Sequence, residues 1–134
     1  LFSDPQHLPA ATRHLGFSLT DLDPEDHWVE AWFDARPDFL NPNSSVQGGI
    51  VTAFLDEAMS LSAFIACDMD AAVPTLEMKT SFLRPLFVGR AEVVAKILKW
   101  GKSTAFVEGE LFDSDGKLVA KATATAAPKP FKRF

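Results

Sequence analysis

From Ile50 to Cys67 the chain runs through eighteen consecutive residues without a glycine or a proline, most of them apolar. Gly48 and Gly49 open this stretch, and a helix about 27 Å long is predicted to follow them. Its apolar residues, Ile50, Val51, Ala53, Phe54, Leu55, Met59, Leu61, Phe64 and Ile65, fall on every face, so the helix has to be surrounded by protein. The run is near the length of a membrane span. Thr52, Asp56, Glu57, Ser60 and Ser62 interrupt it, however, and point to the central helix of a folded core with no membrane association. With 134 residues, 47% of them hydrophobic, the chain has material for one domain, 1–134, around one core.

Four segments rich in β-branched or aromatic residues follow the helix: Val73 to Leu83, Gly89 to Trp100, Thr104 to Asp113 and Lys117 to Ala126. Leu83-Arg-Pro-Leu, Gly101-Lys-Ser and Asp115-Gly116 separate them as turns, and such short connections favour antiparallel pairing. Before the helix, Trp28, Glu30, Trp32 and Asp34 alternate with Val29, Ala31 and Phe33, a period of two that marks a first strand over His27 to Ala35. Pro5 to Leu15 reads as a short helix capped by Asp4 and ended by Gly16. The expected fold is α+β, an antiparallel sheet of five to six strands around one long helix.

A net charge of -5 and scattered Lys and Arg residues exclude a nucleic-acid footprint, and only the tail from Lys129 to Arg133 is locally basic. The single cysteine, Cys67, cannot form an internal disulfide and fits a small buried hydrophobe in a reducing compartment. The first residues show no basic segment leading into an apolar core, which points to a cytoplasmic protein. His7, His14 and His27 lack acidic or cysteine companions at metal-ligand spacing, so no metal is expected. Gly101-Lys-Ser-Thr resembles the end of a phosphate loop, but Lys96 stands where that motif requires glycine. Asp113-Ser-Asp-Gly116 starts like a calcium loop, yet Leu118, Val119 and Ala120 continue as strand, so it is a hairpin turn.

Asp56 and Glu57 remain, two acids in the most apolar helix of the chain. An unpaired carboxylate is costly to bury, so an acid placed there has either a structural partner or a chemical use. Asp56 and Ser60 share a helix face, with Thr52 one turn earlier, while Glu57 points about 100° away, toward a subunit contact, a surface stripe or an ion pair. At the helix start, the amides of Gly48, Gly49 and Ile50 carry the positive end of the helix dipole and suit a developing oxyanion. Gly48 and Asp56 lie about 12 Å apart along the axis, whereas one reacting carbonyl needs its base and its oxyanion donor each within about 3–4 Å. If both serve one substrate, two helices must lie antiparallel across a twofold axis, so that a homodimer carries two composite sites.

The pattern over nearly the whole chain resembles the hotdog-fold acyl-CoA thioesterases, in particular the phenylacetate-degradation-type, 4-hydroxybenzoyl-CoA-thioesterase-like branch. That branch typically has an Asn, a His-Gly-Gly six residues later and an Asp nine residues after the His. Here Asn41, Gln47-Gly48-Gly49 and Asp56 hold those positions. Phe82-Leu-Arg-Pro85, Gly89, Gly101-Lys and Asp115-Gly116-Lys-Leu-Val-Ala120 continue the likeness at strand ends and turns. The resemblance implies hydrolysis of an acyl-CoA thioester, with Asp56 as nucleophile or general base and the Gly48 N–H on the thioester oxygen. Asn41 would order the loop or the water, and Ser60 and Thr75 would support the carboxylate or hold water. Arg84, Arg90 and Lys102 are candidates for the coenzyme A phosphates. No cofactor is implied beyond the coenzyme A of the substrate, and a homodimer or dimer of dimers is expected. Gln47 departs from the branch: it donates and accepts hydrogen bonds but cannot be protonated, so any role it keeps is one of positioning. The alternative is a non-catalytic hotdog dimer that binds acyl-CoA or a related ligand.

Overall fold

The computed structural model describes residues 5–130. Its central element is helix α2, Gly48–Ala66, which follows a five-residue helix α1, Ala10–His14. The strands are β1 (Ser18–Asp23), β2 (Trp28–Ala35), β3 (Ala71–Ala72), β4 (Thr75–Phe82), β5 (Gly89–Trp100), β6 (Ala105–Phe112), β7 (Leu118–Ala126) and β8 (Lys129–Pro130). Six of them form one antiparallel sheet in the order β1-β2-β5-β6-β7-β4, and β3 pairs with β8. The α+β architecture of one long helix on an antiparallel sheet is therefore as expected, with six strands in the main sheet.

Alternation decides which side of the sheet meets the helix. Ala91, Val93, Ala95 and Ile97 of β5 are buried, while Arg90, Glu92, Val94, Lys96 and Leu98 face outward. Small residues dominate the inner face: Ala31 and Ala35 on β2, Gly109 on β6, and Ala120, Ala122 and Ala124 on β7. They let α2 settle close to the strands with Phe54, Leu55, Ala58, Met59 and Ser62 fully enclosed. Gly109 marks the tightest approach. A Cβ there would stand 2.9 Å from Met59 Sδ and 3.2 Å from Leu55 Cδ2. Met59 can yield to one methyl, but the branched side chain of valine has no room. Gly109→Val is expected to destabilise the fold by about 1–3 kcal/mol, read as a lower urea midpoint.

Three expectations change. The helix from Pro5 to Leu15 is broken into a 3₁₀ turn, Pro5–His7, and α1, because Pro9 lacks an N–H and holds the preceding residue out of helical geometry; the proposed cap at Asp4 lies outside the described residues. Gly16 does end this segment, with φ +71°. Strand β1 was not foreseen. Leu19 and Leu22 both pack against the core although they stand three apart, because a bulge between Leu19 and Asp21 restores the pairing with β2. Finally, α2 is not enclosed on every side: Thr52, Ala53, Asp56, Glu57, Ser60 and Phe64 remain half-buried.

The turns behave as read. Asp113 spends Oδ1 on the amides of Asp115 and Lys117, both at 2.9 Å, within its own hairpin, where Gly116 adopts φ +77°. Gly101 donates its N–H to the Thr104 carbonyl at 2.8 Å in the β5–β6 turn.

Candidate active site

The start of α2 is held by the loop before it. Phe39 is buried against Phe54, and its carbonyl accepts the Gln47 N–H at 2.9 Å. Asn41 closes the loop: its Oδ1 accepts from the amides of Asn43 at 2.9 Å and Ser45 at 3.2 Å, and its backbone N–H donates to the Ser45 carbonyl at 2.7 Å. The side chain of Asn41 is thus engaged in ordering the loop. Val46 donates to the Leu86 carbonyl at 2.7 Å, which ties this loop to the segment after β4.

Gln47 is the N-cap of α2, and its Oε1 accepts the Ile50 N–H at 3.2 Å. This corrects one expectation, since the Ile50 amide is spent on Gln47. Gly48 and Gly49 keep N–H groups with no acceptor among the described residues. Each glycine has a steric reason. A Cβ on Gly49 would stand 2.8 Å from Gln47 Oε1 and disturb the cap, and one on Gly48 would touch the Phe82 ring at 3.4 Å.

Asp56 lies two turns further along. Thr75 donates its hydroxyl to Asp56 Oδ1 at 3.1 Å, and Ser60 approaches the same oxygen at 3.4 Å, a longer and weaker contact. Oδ2 has no protein donor among the described residues, so one carboxylate oxygen is fixed while the other is free to accept from water or substrate. One turn earlier, Thr52 bonds Thr80 at 3.2 Å. This stripe of the helix runs along β4, an edge strand paired only with β7, and so it opens toward the free margin of the sheet.

Glu57 turns the other way, where the Thr12 hydroxyl of α1 donates to its Oε1. Of the alternatives raised for it, no ion pair is formed with any described residue. A cavity of about 300 Å³ opens beside this pair, between the N-terminal segment and α2. Sequence reasoning missed both, because α1 and α2 are joined only by tertiary packing over 45 positions.

The three candidate cations are not brought together within the chain. Arg84 donates Nε–H to the Leu118 carbonyl at 3.1 Å near the Gly48 end. Arg90 projects from the outer sheet face, 3.5 Å from Glu92 and 4.5 Å over the Trp32 ring. Lys102 lies in the β5–β6 turn, at the sheet end where Ala105, Ala126 and Thr75 align. The length of β4, about 23 Å, separates the two ends.

A long helix on an antiparallel sheet in this strand order, with a carboxylate midway along it and unpaired amides at its first turn, defines a hotdog domain. The chain belongs to the thioesterase superfamily, whose family model matches residues 43–120. Among solved structures, a phenylacetic acid degradation-related protein of Ralstonia eutropha JMP134 is 37% identical with a TM-score of 0.85, over 90% of each chain. The PaaI protein of the E. coli phenylacetic acid degradation operon superposes with a TM-score of 0.84 over 95% of this chain and 91% of its own; at 20% identity it speaks for the fold alone. A protein of Saccharolobus solfataricus whose name carries a provisional esterase assignment is 34% identical over 87 residues, 65% of this chain. The chain spans 61% of that relative's length.

Proposed function

We propose that the protein hydrolyses an acyl-CoA thioester to the free acid and coenzyme A. One observation carries this reading: Asp56 has one oxygen held by hydroxyls and the other free, on the same helix as two unpaired amides, in a chain of the thioesterase superfamily. Asp56 activates water or attacks the carbonyl itself, and the Gly48 N–H receives the charge that develops on the thioester oxygen. Collapse of the tetrahedral species expels the coenzyme A thiolate. Asn41 and Gln47 hold the loop and cap that aim the Gly48 amide, and Ser60 and Thr75 orient the carboxylate.

The two halves of this site lie about 12 Å apart on one helix, so the reading includes a homodimer with antiparallel α2 helices. Two features support the pairing. The free edge of β4 offers unpaired backbone groups beside Asp56, and Leu76, Phe82, Leu83 and Phe87 are all more than half exposed along that margin. The same arrangement brings Lys102 of one subunit and Arg84 of the other to one site, where they suit coenzyme A phosphates; Arg90, turned outward, is less favourably placed.

The test is release of free thiol, followed colorimetrically, across acyl-CoAs of different length. The competing reading, an acyl-CoA binder without turnover, draws on Gln47, whose side chain serves only to cap its own helix and offers no proton. Binding without thiol release would select that reading and remove the hydrolase.

A further inference from the structure

Glu57, Ser60, Leu61 and Phe64 share one face of α2 at helical spacing, and this face lines the cavity of about 300 Å³. Leu8, Phe17 and Val73 complete its apolar wall. Ser60 and Val73 also line a small adjoining gap that contains Thr75, so the cavity begins beside the two hydroxyls that hold Asp56. The residues for which sequence alone suggested an acyl tunnel lie elsewhere. Phe54 and Met59 are enclosed in the core, Phe82 and Phe87 are on the surface, and only Phe64 reaches this space.

We propose that this cavity receives the acyl moiety of the thioester and selects for an uncharged group of intermediate size. The proposal rests on the thioester reading above. A space of roughly 150 Å³ lined by Leu, Ile and Phe holds a benzene ring, so about 300 Å³ takes a ring with a short linker or an aliphatic chain of about eight carbons. Glu57 sets the second criterion. Its carboxylate lies in the cavity wall with a hydroxyl, Thr12, as its hydrogen-bond donor. An acyl group ending in its own carboxylate would meet that charge in apolar surroundings, where like charges repel strongly.

The experiment compares acetyl-, octanoyl-, palmitoyl- and suberoyl-CoA, the last matching octanoyl in length but ending in a carboxylate. In the wild type, kcat/KM for octanoyl-CoA should exceed the other three at least tenfold. Leu61→Trp, which fills the cavity, should lower the octanoyl-to-acetyl ratio at least tenfold. Leu61→Ala, which enlarges it, should move the optimum to a chain at least two carbons longer. Glu57→Gln should narrow the preference for octanoyl over suberoyl at least fivefold. A chain-length profile identical in the wild type and both Leu61 variants overturns the assignment while leaving the hydrolase intact. Calorimetry with Asp56→Asn protein separates the converse case. If the wild type releases no thiol, yet octanoyl-CoA binds this protein at least tenfold more tightly than coenzyme A and Leu61→Trp erases the margin, the hydrolase reading falls and the cavity assignment stands. Equal affinity for octanoyl-CoA and coenzyme A overturns the assignment.

Discussion

Asp56→Ala is expected to lower kcat for thiol release by about 10²–10⁴-fold while the protein remains folded. The separation of activity from stability follows from how the carboxylate is held. It is half-buried, its partners are the hydroxyls of Thr75 and Ser60, and it pairs with no cation among the described residues. Its removal therefore strands no buried charge of opposite sign, which is what makes the loss of one member of a buried ion pair so damaging. Thr75 is exposed and can turn its hydroxyl to water. An acid present for structure alone would behave in the opposite way, with a clear drop in the urea midpoint and activity falling only with the folded fraction. Unchanged turnover in Asp56→Ala protein at wild-type stability removes Asp56 from the chemistry. Asp56→Asn sharpens the comparison, because the amide oxygen still accepts from Thr75 but cannot act as a base.

The helix that carries Asp56 is readable from sequence because eighteen residues without glycine or proline allow little else, and its observed start at Gly48 follows from the glycine pair and the cap at Gln47. Strands β5, β6 and β7 were found to within a residue at each end for a similar reason, since alternation on one buried face leaves a strong period of two. Strand β1 escaped because its bulge puts Leu19 and Leu22 out of phase, a shift that only the partner strand reveals. The break in the first helix was legible in Pro9 and was overlooked. The contact between Thr12 and Glu57 had no signal in sequence, for neither residue is unusual in its own segment, and the cavity beside them exists only once α1 is laid against α2. Local pattern thus locates the acid and the amides. What surrounds them comes from elements distant in the chain.

That distance bears most heavily on the helix start, where the strongest consequence of a shared site can be measured. Gly48 occupies the first position of α2, just after the Gln47 cap, and Gln47 has the extended backbone (φ -58°, ψ 135°) that a following proline requires. Proline is well tolerated at this position because the amide it removes has no partner within the helix. Gly48→Pro therefore deletes the proposed oxyanion donor and leaves the helix standing, with an expected fall in kcat of about 10²–10³-fold. If Asp56 of one subunit works with Gly48 of the other, a heterodimer of Gly48→Pro and Asp56→Asn chains holds one site with both defects and one with neither. Isolated through two different affinity tags, that heterodimer should recover about half of the wild-type kcat, although each parent homodimer is nearly inactive. Were base and donor to act within a single chain, every site in the heterodimer would lack one of them. Activity no higher than that of the parents would then reject the composite site, even if each single variant behaved as expected.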